Sequence, residues 1–153
     1  MRNIYFIGFI LIGLQLPAQQ NSGTGAYFYD LSLEYLNTGK LDESDSLASL
    51  ASEAFKSEKR NGEVAKALML RGYIADEKNL LIDAIIFYYE SLKFDPDEYR
   101  ELSCHKNIGR IFKVIGKYAD AEKHYLKALE ISKDYSQEEY AGMLFNLGNL
   151  YKK

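Results

Sequence analysis

The order Gly109, Phe112, Gly116, Tyr118, Ala121, Tyr125, Ala128, Leu129 recurs along this chain at a near-constant interval, and that recurrence limits the fold more than any other property. A shift of 37 positions towards the N-terminus brings Gly72, Leu81, Ala84, Tyr88, Ser91 and Leu92 into the same slots, with Pro96 closing the unit. A further 40 positions back stand Gly39, Leu41 and Ala51 in register, while Ser32, Ser44 and Ala48 replace the glycine, alanine and tyrosine. A shift of 39 forward places Leu147, Gly148 and Tyr151 on Ile108, Gly109 and Phe112. Self-similarity at 37 to 40 residues, with two helices in each period, is the mark of a helical solenoid. One helix pair cannot cover its own apolar face, so neighbouring pairs stack, and about three are the minimum for a stable array.

Within each unit the apolar residues return at three and four positions, which is the period of a helix face. Breaks fall at "NTGK" (37–40), "KRNG" (59–62), "EKN" (77–79), "DPD" (95–97), "GK" (116–117) and "KDYSQ" (133–137), so seven helices are predicted near 26–38, 41–57, 63–77, 80–94, 98–115, 118–134 and 138–152. The residue types in the repeated slots have a physical reason. Gly109 and Ala121 lack bulk and let the two helices of a pair approach; Ala128 does the same against the next pair. Tyr118, Tyr125 and Phe112 are expected to fill the wider gaps. Gly116 stands where the first helix must stop and turn through a left-handed conformation.

These residues resemble the tetratricopeptide repeat, whose pattern runs Leu-Gly-x-x-Tyr, then Gly-x-Tyr-x-x-Ala, then Tyr or Phe, then Ala-Leu and often a closing Pro. The unit "NIGRIFKVIGKYADAEKHYLKALEI" matches nearly every slot, with His105 in place of the opening Trp and Lys133 in place of the closing Pro. The resemblance implies an all-α, right-handed helical solenoid of antiparallel helix pairs over residues 26–153, with units at about 26–62, 63–97 and 98–136 and a partial unit at 137–153. It also implies a concave groove, lined by the first helix of each pair, that binds a protein or peptide. Mapped onto this chain, the groove candidates are Met69, Tyr73 and Asp76, then Lys106, Arg110 and Lys113, then Phe145, Asn146, Asn149 and Lys152. Lys106, Arg110 and Lys113 share one helix face, which reads either as a solvated basic face or, from their mutual repulsion, as one with an acidic partner opposite. Lys106 and Asn146 fit slots of the repeats that clamp a terminal carboxylate. Arg110 stands where that clamp has Asn, so the clamp itself is not carried over.

The remaining composition narrows the function classes. A net charge of −3 with no concentrated basic stripe argues against nucleic acid. His105 and His124 have no Cys, Asp or Glu at metal-ligand spacing, and no phosphate loop or nucleophile elbow is present, so neither enzyme activity, metal nor cofactor is expected. The single Cys104 reads as a small buried hydrophobe. At the N-terminus Arg2, an apolar run from Ile4 to Leu14 and Ala18 form a secretory signal pattern, so residues 1–18 are expected to be removed on export to the periplasm or outside the cell. Residues 19–25 then form a polar linker. The last helix carries Leu144, Leu147, Leu150 and Tyr151 and reads as a cap on the third unit, as part of a longer sensor, or as the face of a homodimer; a structural, self-assembling module or sensor fragment that pairs through it is the second reading of function.

Overall fold

The computed structural model describes residues 23–94 and 96–152, so the segment read as a signal, residues 1–18, lies outside the described residues. Seven α-helices follow one another: α1 (Thr24–Asn37), α2 (Leu41–Ser57), α3 (Asn61–Glu77), α4 (Leu81–Ser91), α5 (Glu98–Val114), α6 (Tyr118–Tyr135) and α7 (Gln137–Tyr151). Each helix packs against the next, and α3 also touches α5, which is the layered order of a helical solenoid.

The turns are built alike. After α1, α2, α3 and α5 one residue takes positive φ, namely Gly39 (75°), Lys59 (57°), Asn79 (58°) and Gly116 (78°). The next amide then reaches back to a carbonyl of the last helical turn: Lys40 to Tyr35, Arg60 to Phe55, Leu80 to Ala75 and Lys117 to Phe112, at 2.8–3.0 Å. This closes the helix with its orphan carbonyls satisfied. Asp97 and Ser136 instead cap α5 and α7, accepting hydrogen bonds from the amides of Arg100 and Glu139.

Small residues set the spacing inside each pair, as the repeated slots predict. A Cβ built on Gly109 would lie 2.7 Å from the Tyr125 ring and 3.2 Å from the Ala121 carbonyl; one on Gly72 would lie 2.7 Å from the Tyr88 ring. In the first pair serine replaces this apolar contact. Ser32 donates to the Ser44 carbonyl and Ser44 to the Ser32 carbonyl, each at 2.8 Å, with both side chains fully buried. Ser91, in the alanine slot of the second unit, donates to the Ala65 carbonyl at 2.7 Å and so ties α4 to α3. Ala128 packs with Leu102 and Met143, joining the third pair to α7.

Three expectations are corrected. α1 starts at Thr24, inside the stretch read as linker, because Gly25 is held against Phe55 and its amide donates to Glu58. α4 stops at Ser91, and Leu92–Phe94 turn towards Pro96, which has no N–H to continue a helix. Tyr118 does not fill a gap: it opens α6 and is 60% exposed, while Tyr125 and Phe112 carry the packing. Cys104 is fully buried, and burial pushes its thiol up to about 11, so at neutral pH it is an inert apolar side chain.

Candidate partner groove between α3 and α5

Met69, Tyr73 and Asp76 are spaced by four and three on α3, and Ser103, Asn107, Arg110 and Val114 by four, three and four on α5. Each set therefore shares one helix face. Because α3 and α5 touch directly, these two faces meet along a common seam. Two cavities open along it. One, of about 310 Å³, is lined by Met69, Tyr73 and Lys106 together with Tyr29, Tyr88 and Tyr99 among others. The other, of about 500 Å³, is lined by Tyr73, Asp76, Asn107, Arg110 and Val114 among others. Tyr73 and Asn107 belong to both, so the cavities adjoin.

Five of the residues singled out from the sequence are thus brought together: Met69, Tyr73, Asp76, Lys106 and Arg110. Lys113, half-buried on α5, lines neither cavity. Phe145, Asn146, Asn149 and Lys152 lie on or just beyond α7, away from both, and Phe145 is 69% exposed. Tyr29, Tyr99, Ser103, Asn107 and Val114 were not singled out, and Tyr88 was read only as a repeat slot and not as a groove residue. The signal for the α5 members was present in the sequence, since Ser103, Asn107 and Val114 fall at three- and four-residue steps around Lys106 and Arg110.

The basic cluster has its counter-charges inside the chain. Lys106 Nζ donates to both carboxylate oxygens of Glu139 on α7, at 3.0 and 3.1 Å, and Arg110 pairs with Asp76 of α3. What faces two of the three cations is therefore this protein's own carboxylates. Burial raises the Asp76 carboxyl above its ordinary value, opposed by the adjacent Arg110 guanidinium. Burial likewise pushes the Tyr29 phenol up to about 12 and raises Tyr88, so both hydroxyls keep their protons at neutral pH.

On the far side of α5 the two histidines meet, which their positions in sequence did not suggest. His105 Nδ1 and His124 Nδ1 are 2.9 Å apart, and His124 Nε2 lies 2.7 Å from the Tyr89 hydroxyl. One imidazole must donate and the other accept across the shared Nδ1 contact, and Phe112 packs against the His124 ring at 5.6 Å between centroids. Burial lowers His105, and burial followed by the neighbouring His105 lowers His124 to about 4. No group of three or more His, Cys, Asp or Glu residues that could hold a metal occurs among the described residues. Nor is any helix among them long and apolar enough to cross a membrane.

With this geometry, residues 105–135 match the tetratricopeptide repeat family, which covers α6 and most of α5 in the third unit. The chain resembles the crystal structure of BtubC (BKLC) from P. vanneervenii with a TM-score of 0.73 at 19% identity, over 84% of this chain and 55% of that one. It resembles the apo form of RapI with a TM-score of 0.74 at 20% identity, over 82% of this chain and 36% of that one. These likenesses establish the helical-repeat fold. The chain spans about half the length of the first and about a third of the second. A search of the curated proteins finds no match.

Proposed function

We propose that this protein is a non-catalytic, protein-binding helical-repeat scaffold that holds an extended peptide along the α3–α5 seam. The observation that carries the reading is the pair of adjoining cavities that share Tyr73 and Asn107, because they give one continuous concave track between two repeat units. The smaller cavity has mainly apolar and aromatic walls with a few polar groups, as a binding cleft needs, while the larger is lined mostly by polar and charged side chains. An acidic partner, suggested by the basic face of α5, would have to displace Glu139 from Lys106 or Asp76 from Arg110, since Lys113 lines neither cavity. Export of the scaffold follows from the signal pattern of residues 1–18 and is part of the same proposal. A new N-terminus near Gln19 in protein recovered from secreting cells supports it, and an intact Met1 overturns it.

The groove is tested with peptides selected from a random display library against the intact chain. Tyr73→Ala and Asn107→Ala should abolish their binding, while Leu50→Ala and Ile82→Ala, at exposed positions on α2 and α4, should not. The opposite pattern places the binding face elsewhere and sinks the proposal.

A second reading is favoured by α7, where Leu144, Phe145 and Tyr151 stay exposed beside the buried Met143 and Leu147. Exposed apolar surface of this kind can pair two copies of the chain. Light scattering that shows a monomer at all concentrations removes it.

A further inference from the structure

The contact that builds each helix pair has two halves. The first helix presents a small residue, and the second covers it with three residues at steps of four and three: Ser44, Ala48 and Ala51, then Ala84, Tyr88 and Ser91, then Ala121, Tyr125 and Ala128. All of these are buried. In the second and third pairs the tyrosine ring lies on the glycine, so close that a Cβ on Gly72 or Gly109 would stand 2.7 Å from it.

α7 carries both halves of this contact on one face. Gly148 fills the glycine slot, and Ala141, Phe145 and Gly148 repeat the small, aromatic, small order at the same steps of four and three. With Leu144 and Tyr151 they span about a third of the helix circumference, on the side away from Met143 and Leu147, which pack into the third unit. Phe145 is 69% exposed, Tyr151 59% and Leu144 47%, and nothing stands within 4 Å of a Cβ built on Gly148. A helix at the end of an array is kept soluble by a polar outer face. α7 instead has no charged residue from Tyr140 to Tyr151; its charges stand at its ends, Glu138 and Glu139 in the first turn and Lys152 just past the last.

We propose that a second copy of this chain covers this face: two α7 helices pack antiparallel about a twofold axis, each setting its Phe145 on the other's Gly148. The inference rests on the self-association reading above. The axis passes between Asn146 and Leu147, midway between the two residues that exchange places. A patch complementary to itself is what a closed dimer requires. Charge sets the direction. Antiparallel helices bring Glu138 of each copy within one turn of the other's Lys152, whereas parallel helices would set Glu138 beside Glu138 and Lys152 beside Lys152. Leu144 then lies alongside the other copy's Tyr151. No α7 residue lines either groove cavity, so the interface takes nothing from the peptide track.

One helix offers less surface than a permanent dimer buries, so pairing is concentration-dependent, with single chains at about 1 µM and pairs towards about 1 mM. Sedimentation velocity of the full chain across that range measures it. Phe145→Gln removes the exposed ring and should weaken association through α7 in any arrangement. Gly148→Gln should weaken it by at least about 30-fold, since each dimer contains the collision twice. Its melting temperature at the low concentration should be equal or higher, because nothing in the single chain meets the new Cβ. Glu138→Lys should weaken association roughly 3- to 30-fold, and Glu138→Lys combined with Lys152→Glu should restore it. Association that Phe145→Gln weakens but Gly148→Gln does not, or that the double charge variant fails to restore, overturns the antiparallel pair and leaves self-association through α7 standing. Association that none of these variants changes, or a single chain at every concentration, overturns both.

Discussion

Alanine at Gly109 and alanine at Gly148 occupy the same slot of successive units, 39 residues apart, yet they should change stability in opposite directions. In either helix the exchange removes the entropic penalty of glycine, a gain of about 0.5–1 kcal/mol. What differs is the neighbour. The methyl at Gly109 would sit 2.7 Å from Tyr125 Cδ1, 2.8 Å from its Cε1 and 3.2 Å from the Ala121 carbonyl, whereas at Gly148 nothing lies within 4 Å. Tyr125 is only 2% exposed and packed with Ala121 and Leu147, so it cannot turn aside, and α6 must be pushed away. Overpacking of this kind costs about 1–3 kcal/mol. Gly148→Ala should therefore stabilise by about 0.5–1 kcal/mol, and Gly109→Ala should be about 1–3 kcal/mol less stable than Gly148→Ala. Because the propensity gain is common to both, that difference isolates the steric cost. Urea denaturation followed by far-UV circular dichroism measures it, with the slope of the transition checked for constancy. A difference under about 0.5 kcal/mol would refute close helix approach as the reason for glycine in this slot. Destabilisation by Gly148→Ala would show that another chain covers α7, which is the self-association reading.

Two further outcomes follow from the charges. Arg110→Glu places a carboxylate beside Asp76 and should lower stability by a few tenths to about 1 kcal/mol, a solvent-screened pair being worth no more; Arg110→Glu combined with Asp76→Arg should recover most of the loss. A double variant no more stable than the single one in the same urea titration would show that the pair is incidental. For His124 the folded value near 4 lies below the ordinary 6.5, so between these two pH values the unfolded chain binds the extra proton. Stability should therefore be full above about pH 6.5 and fall as pH drops towards 4, by on the order of 2–3 kcal/mol. The comparison with His124→Gln removes the background of carboxylates that titrate in the same range, and parallel stability-against-pH curves for the two proteins would contradict it.

The sequence by itself determined the number of helices, their order and the turns between them. Those properties follow from local chemistry: apolar residues at three- and four-residue steps, glycine where φ must be positive at 39 and 116, and small residues where helices touch at Gly109 and Ala121. It was less informative where different residues perform the same task. Ser32 and Ser44 look like departures from the repeat, but two reciprocal hydrogen bonds make them an alternative way to hold two helices together. Lys59 and Asn79 hold the same left-handed turn as the glycines, because the closing hydrogen bonds of the turn outweigh the strain.

The tertiary structure alone decided what the polar side chains contact. Lys106, Arg110 and Lys113 read along one helix suggest an external anion, since a sequence shows only the charges that share a face. Asp76 and Glu139 come from α3 and α7, 34 and 33 positions away from the cations they hold, and only packing brings them opposite. His105 and His124, 19 positions apart, meet for the same reason. The unpaired hydroxyl of Tyr88 cannot be read from the chain at all, because Tyr125 fills the equivalent slot of the next unit and the sequence does not distinguish them. Whether a buried polar atom has a partner depends on every element that surrounds it, and that is a property of the assembled helices.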